Sequence, residues 1–376
     1  MEMVDFRFME NKRIAVFLPS VKGGGAERVM VILANEFANR GFTVDLVLAQ
    51  AIGEYITEVS SRVRIIDLKA ASVAGSLFPL VQYINKSNPD VMLSALDYVN
   101  VIAIFAKLIA RHRVRLVISE RSNLSINSKF SKGLRARLVF PLVKLTYKYA
   151  DAIIAVSRGV ADDLLRHINL KNNRLFVVYN PVVTDSIFQL AEAPVAHKWL
   201  ADKKNSVILA AGRLNSAKDF LNLIKAFSYV RSQRDCKLLI LGEGEQRKDL
   251  EKLVMDLGLE GDVDLPGFVE NPYSYMRKSD LFVLSSIYEG LPNVLIQALA
   301  CGIPVVSTNC PSGPDEILEH GRWGRLVPLG SSEKLAEAMM LTLDTPSEEL
   351  PKGAIRAMDF NYKNATDNYL RVMLDL

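Results

Sequence analysis

Two cations, a carboxylate and a run of glycines carry the chemistry this sequence could perform. Arg213 and Lys218 stand in "AAGRLNSAKDF", after the apolar run "VILAA" and before a helical pattern. Cations where a strand gives way to a helix suit a diphosphate. Guanidinium and ammonium groups and the helix's first N–H groups all favour negative charge there. A solvated loop would carry the same residues. Glu289 lies in "SSIYEGLPNVLIQALACGIPVVSTNCPSGPDEIL", on a Gly/Pro loop after an apolar strand that ends at Ser285. Asn293 then opens a short apolar helix, expected over 294–301, with Gln297 near its start. Cations and helix amides for phosphates, beside polar side chains for hydroxyls, read as a nucleotide-sugar pocket.

The third feature is "VKGGGAER", with Gly23, Gly24 and Gly25 between a strand and a helix. Glycine lets backbone approach a ligand closely. The G-x-G-x-x-G spacing of a dinucleotide fold is absent, Asp45 meets the expected ribose carboxylate only weakly, and the G-K-[ST] of a P-loop is missing. Neither a nicotinamide cofactor nor P-loop nucleotide hydrolysis is supported. A tight strand-to-helix turn, with Glu27 as a first-turn acid on the helix dipole, fits the same residues.

Elements that could position these groups follow from the apolar pattern. Strands are expected at 13–19, 43–49, 63–67, 90–94, 115–119, 152–156 and 175–179, with helical patterns in most of the gaps. The pattern restarts after a polar, Pro-containing passage near 191–205, with strands at 207–211, 237–241, 263–267, 280–285 and 303–307. Near-continuous apolar strands alternating with helices indicate parallel sheets covered on both faces, the doubly wound α/β class. The expected domains are 1–190, 191–350 and a closing helix over 351–376. A cleft facing the carboxyl ends of both sheets is the expected ligand site.

The 376 residues, 49% of them apolar, suffice for two cores. Three cysteines without C-x-x-C spacing and four scattered histidines argue against a disulfide framework or a structural zinc site, so a reducing, cytoplasmic location is expected. The stretch "MEMVDFRFMENKR" has no apolar core and does not read as a secretory leader, and no apolar run is long enough to span a bilayer.

The segments together resemble the retaining glycosyltransferases of family 4, which have the GT-B fold of two Rossmann-like domains. Carrying the resemblance are "GRLNSAKDF", "YEGLPNVLIQALACGIPVV" and "SGPDEIL…GRWGRLVP", across residues 207–329, with "GGGAERV" and "NPVV" in the first half. It implies that Arg213 and Lys218 hold the donor diphosphate and stabilise it as a leaving group. Glu289 matches the first Glu of the family's E-x7-E motif, which contacts the donor sugar. Gly290, Leu291, Pro292, Asn293 and Val294 would supply backbone amides to phosphate and sugar, and Phe268 and Val269 would receive the base. The motif's second Glu, which accepts from the ribose hydroxyls, falls on Gln297, a departure that keeps an acceptor and loses the charge. Glu120 and Arg121, in "SERSNL", occupy the loop where many members carry a His, and are the acceptor-side candidates; a salt-bridged loop is the competing reading. Gly24 and Gly25 would offer backbone to the donor's sugar-phosphate end. The closing helix would return to the first domain.

The implied activity is transfer of a hexose or N-acetylhexosamine from a UDP-linked donor to a lipid-linked or polysaccharide acceptor. Retention of anomeric configuration and no essential metal or cofactor are expected. Rival readings are a nucleotide-sugar epimerase of the same fold, and a nucleotide-sugar-binding partner left inactive by Gln297. Charge adds a location. Residues 1–185 carry a net +9 and residues 186–376 a net −5, and residues 101–150 hold eleven basic residues against Glu120 alone. Lys132, Arg135, Arg137, Lys144 and Lys148 interleave with leucines and valine along a helical pattern bent at Pro141. Such a helix could lie on an anionic bilayer at the inner face of the cytoplasmic membrane, or pack on a sheet with a solvated basic face. No nucleic-acid motif appears.

Overall fold

Seven apolar segments of the first half form parallel strands: β1 (Arg13–Leu18), β2 (Thr43–Leu48), β3 (Val63–Asp67), β4 (Val91–Ala95), β5 (Arg115–Glu120), β6 (Ala152–Ala155) and β7 (Leu175–Val177). Their order in the sheet is β3-β2-β1-β4-β5-β6-β7. The sheet grows outward from β1, first to one side and then to the other, which places helices on both faces. Every residue of β4 and all but the first of β1 and β5 are buried, as a sheet covered twice requires. The structure, a computed structural model, describes residues 12–130, 134–168, 170 and 172–376.

The second half repeats the plan with β8 (Ser206–Ala211), β9 (Cys236–Leu241), β10 (Val263–Gly267), β11 (Leu281–Leu284), β12 (Val305–Thr308) and β13 (Arg325–Val327). Their order is β10-β9-β8-β11-β12-β13, again all parallel. The edge strand β13 has no counterpart in the sequence-based expectation. Its three residues lie in "GRWGRLVPLG", where Gly and Pro mask so short an apolar run. Two Rossmann-like α/β units of this kind make the GT-B fold.

The units are Met1–Pro181 with Tyr362–Leu376, and Val182–Asn361. These divisions differ from residues 190 and 350, which a polar passage near 191–205 and a closing helix without a following strand suggested. The N–H groups of Val182 and Val183 both donate to Phe360 O, at 3.1 and 3.0 Å, so the two connecting segments are paired within the second unit. The last helix, Tyr362–Leu374, belongs to the first unit. Its Tyr369, Leu370 and Met373 are fully buried in the same core as Val16 and Leu46. Each such side chain stabilises by roughly 2 kcal/mol. Polar contacts fix the helix's register: Arg115 donates to Val372 O at 3.2 Å and to Asp375 at 2.8 Å, and Arg40 pairs with Asp367.

Asp45 settles one early alternative. It sits in the middle of β2, fully buried, and accepts from Arg64 Nε (2.8 Å), Arg64 Nη2 (2.7 Å) and Tyr83 OH (2.6 Å). Burial alone would raise its carboxyl pKa, but these hydrogen bonds and the Arg64 and Arg13 charges outweigh burial and hold it low. It is a structural anion inside the unit, away from the strand ends where a ribose would bind.

Candidate active site

In a doubly wound sheet, ligands gather at the carboxyl ends of the strands where the order reverses. In the second unit that point lies between β8 and β11. The chain leaves β8 through Gly212 and Arg213 and reaches Lys218 before the helix Phe220–Gln233. It leaves β11 through Ser285 and reaches Glu289 before the helix Asn293–Ala300. Ile287 N–H donates to Ala217 O at 2.8 Å and ties the two loops together. As a result Lys218 Nζ lies 2.5 Å from Glu289 Oε1, with the side chains 19% and 14% exposed. So confined a pair is only partly hydrated, and removing one ion leaves the other poorly compensated.

Arg213 behaves differently. It is 75% exposed, with its Nε 3.8 Å from Glu245, a surface pair that contributes little stability and leaves the guanidinium adjustable. The loop after Glu289 is firmly built: Gly290, Leu291 and Pro292 are buried, and Asn293 and Val294 half-buried. Gly313 packs against it from behind. Its φ is +101°, and a Cβ there would lie 2.4 Å from Pro292 Cδ and 3.3 Å from Gly290 O, so only glycine permits this approach. Gln297 Nε2 donates to Tyr273 OH at 3.4 Å. Phe268, directly after β10, is 59% exposed and Val269 is half-buried, which leaves an aromatic face at the same edge of the sheet. Beneath the ion pair, Cys310 is buried. Burial and the Glu289 charge push its thiol far above the ordinary range, so it packs and does not act as a nucleophile. Among the described residues no cluster of three or more His, Cys, Asp or Glu side chains could hold a metal ion.

In the first unit the glycines leave β1 at that sheet's own reversal point, beside β4. Gly24 caps the helix Gly25–Asn39, and Gly23 N–H donates to Glu54 at 2.8 Å. The Glu27 carboxylate folds back over Gly24, where a Cβ would sit 2.0 Å from Oε2. This is a first-turn acid on the helix's positive end. Glu120, at the end of β5, is 1% exposed. Its Oε2 accepts from Tyr147 OH at 2.7 Å and its Oε1 from Arg121 N–H at 3.0 Å. Asn100 donates to the Tyr147 hydroxyl and accepts from Ser94, which extends a buried polar chain. Burial first, then the Asp97 charge, pushes the Glu120 carboxyl up to about 8. Arg121 turns inward, donating to Asn180 Oδ1 (2.7 Å), Ser119 Oγ (3.1 Å) and Tyr369 OH (3.3 Å). The loop is thus held by hydrogen bonds from the arginine, and the Glu120 carboxyl and the Arg121 guanidinium take different side-chain partners.

One contributor escaped the sequence reading. Ser286, fully buried, donates to Glu289 Oε1 at 2.7 Å. Its signal was a pair of serines closing an apolar strand, where buried hydroxyls must find partners.

Comparison with known proteins places this geometry. Residues 195–357 match the family model described as Glycosyl transferases group 1, and residues 23–186 match Glycosyltransferase Family 4. Over 345 residues the chain is 31% identical to the N-acetylgalactosamine-N,N'-diacetylbacillosaminyl-diphospho-undecaprenol 4-alpha-N-acetylgalactosaminyltransferase of Campylobacter jejuni, covering 89% of this chain and 90% of that protein. It is 27% identical over 388 residues to the GalNAc-alpha-(1->4)-GalNAc-alpha-(1->3)-diNAcBac-PP-undecaprenol alpha-1,4-N-acetyl-D-galactosaminyltransferase of the same organism, covering 97% and 99% of the two chains. Among solved structures, Anabaena HepE in complex with UDP-glucose superposes with a TM-score of 0.80 at 23% identity, covering 97% of this chain and all of that one.

The buried Glu120 yields a pH signature. A carboxyl whose folded pKa lies above its unfolded value keeps its proton in the native state while the unfolded chain loses it. Stability therefore falls as pH rises from the ordinary glutamate range to about 8. Relative to Glu120→Gln, the wild-type thermal midpoint is expected to fall progressively between pH 5 and 8 and then level off; a gap independent of pH would contradict the buried neutral carboxyl.

Proposed function

The chain belongs to the family 4 glycosyltransferases, and from that premise we propose that it moves a hexose or N-acetylhexosamine from a UDP-linked donor to a lipid-linked or growing glycan, with retention at the anomeric carbon. The observation that carries this reading is the Lys218–Glu289 pair at the reversal point of the second sheet. A diphosphate arriving there competes with Glu289 for the Lys218 ammonium. Two charges on the phosphates outbid a single carboxylate, and Arg213, exposed and weakly paired, can swing to the same anion. Glu289, freed of the ammonium, then accepts from the hydroxyls of the sugar.

Transfer follows from charge placement. The bond between the anomeric carbon and the diphosphate oxygen breaks, and negative charge grows on the diphosphate where Lys218 and Arg213 stabilise it. The acceptor hydroxyl oxygen bonds to the anomeric carbon from the same face, and its proton passes to the leaving phosphate oxygen. No metal or cofactor is required by this scheme. Gly290, Leu291, Pro292, Asn293 and Val294 would cradle phosphate and sugar, with Gly24 and Gly25 at the sugar-phosphate end. The exposed ring of Phe268, next to Val269, offers a stacking face for the base. Gln297, oriented by Tyr273, offers its carbonyl to a ribose hydroxyl without a charge. Glu120 and Arg121 would act on the acceptor side through the loop they shape. The names of the Campylobacter relatives, both acting on undecaprenol-diphosphate-linked glycans, support the acceptor class, and the UDP-glucose complex of HepE supports the nucleotide.

A membrane surface is the second part of this reading. No helix is long and apolar enough to cross a bilayer among the described residues. The helix Leu134–Thr146 buries Val143, while Leu138 and Leu145 are 55% and 58% exposed beside Lys144. Leu108 and Ile109, about half exposed, end another helix of the same unit. Exposed leucines among lysines fit a lipid interface better than a solvated face. Lys132 lies outside the described residues, as do the side chains of Arg135 and Arg137.

Two measurements test these proposals. A screen of UDP-hexoses and UDP-N-acetylhexosamines, with and without a polyprenyl-diphosphate glycan, is expected to give UDP release that rises with acceptor, and Lys218→Ala to reduce it by on the order of 100-fold or more. Sugar inversion without UDP release would favour the epimerase, binding without turnover the inactive partner, and full activity of Lys218→Ala would remove the diphosphate role. Reversing the charges of Arg135, Arg137 and Lys144 is expected to lower co-sedimentation with anionic vesicles severalfold, since each basic residue near such a surface contributes about 1 kcal/mol. Unchanged sedimentation would remove the membrane reading.

A further inference from the structure

Ser285 and Ser286 follow β11 at the lip of the second sheet and are 1% and 0% exposed. Buried hydroxyls must be satisfied, and these adjacent residues take different partners. Ser285 Oγ donates to the backbone carbonyl of Lys218 at 2.7 Å. Ser286 Oγ donates to Glu289 Oε1, also at 2.7 Å. One dipeptide thus holds the main chain of the cation and the carboxylate of the anion. It is itself pinned from β12, because Thr308 Oγ1 donates to Ser286 O at 2.6 Å.

We propose that Ser285 and Ser286 are positioning residues for sugar transfer: Ser285 fixes the backbone from which Lys218 reaches the diphosphate, and Ser286 retains Glu289 when Lys218 changes partner. The proposal rests on the nucleotide-sugar reading of this site. Glu289 Oε1 receives both Lys218 Nζ and Ser286 Oγ. A carboxylate held only by the lysine would follow the ammonium toward the phosphates or swing into solvent once the pair opened. With Ser286 it keeps its place after the cation leaves, and Oε2 is the oxygen presented to a sugar hydroxyl. A hydroxyl does this where a second cation would not. Another positive charge would bind the diphosphate or hold the carboxylate too tightly to release it, whereas a neutral hydrogen bond orients without competing. The two serines therefore act on different parts of the donor. Ser285 works through the phosphate contact and Ser286 through the sugar contact.

That division is what an experiment can read. The variants are Ser286→Ala, Ser286→Thr and Ser285→Ala, measured for binding of UDP and for turnover of whichever UDP-sugar the wild-type chain uses. Ser286→Ala removes one oxygen and introduces no clash. It is expected to lower kcat/KM by on the order of 10-fold, the usual effect of losing a hydrogen bond to a charged group, while UDP affinity stays within about twofold. Ser286→Thr, which keeps the hydroxyl, is expected to recover most of the lost turnover. Ser285→Ala is expected to weaken UDP binding and sugar-donor turnover together, severalfold each. Wild-type turnover with Ser286→Ala unaffected, or with UDP affinity falling as far as turnover, would overturn the positioning role alone. A wild-type chain that releases UDP from no donor would overturn the transferase reading itself, and this proposal with it.

Discussion

Everything at the candidate site turns on one constraint: a lysine and a glutamate from two different strand-exit loops are held 2.5 Å apart at the lip of one sheet. A pair so enclosed is stable only while each ion satisfies the other, so its partners are not easily changed. It also stores the means of its own opening. A diphosphate, with two charges over its two phosphates, is a stronger partner for an ammonium than a carboxylate is, and the carboxylate that is released is a good acceptor for sugar hydroxyls. On the proposed function, the same contact would give the unit a reason to bind a sugar joined to a diphosphate.

The scaffold serves that contact. The order β9-β8-β11-β12 puts the two exit loops side by side, and parallel strands send both to the same edge. Close backbone approach does the rest. Gly313 lets one loop back directly onto Gly290–Pro292, and Gly242, at φ +132°, lies where a Cβ would come within 2.0 Å of Gly212 O. Side chains at either place would push the loops apart and loosen the site. The first unit is built with the same economy of polar groups. Arg121, Asn180 and Tyr369 join its sheet, its last connecting segment and its terminal helix through one guanidinium.

Much of this was legible in the residues. Twelve strand positions followed from apolar runs between turn signals, because a doubly covered sheet demands such runs. Arg213, Lys218 and Glu289 stood out because cations and a carboxylate on strand-to-helix loops suit a diphosphate and a sugar. Their pairing was not legible, since Lys218 and Glu289 are 71 residues apart and only the strand order brings them together. The inward turn of Arg121 was hidden for the same reason, its Tyr369 partner lying 248 residues further on. Strand β13 was missed because three residues flanked by glycine and proline carry no periodicity. The serines went unnoticed because a hydroxyl's meaning depends on what it faces, and that is a property of the folded chain.

The central claim is that Lys218 trades Glu289 for a donor diphosphate, and a crystal structure of the chain soaked with UDP tests it most directly. The account predicts Lys218 Nζ within about 3 Å of a diphosphate oxygen, withdrawn from Glu289, with Ser286 still bonded to the carboxylate. UDP bound elsewhere, or bound there with the Lys218–Glu289 contact intact, would contradict it.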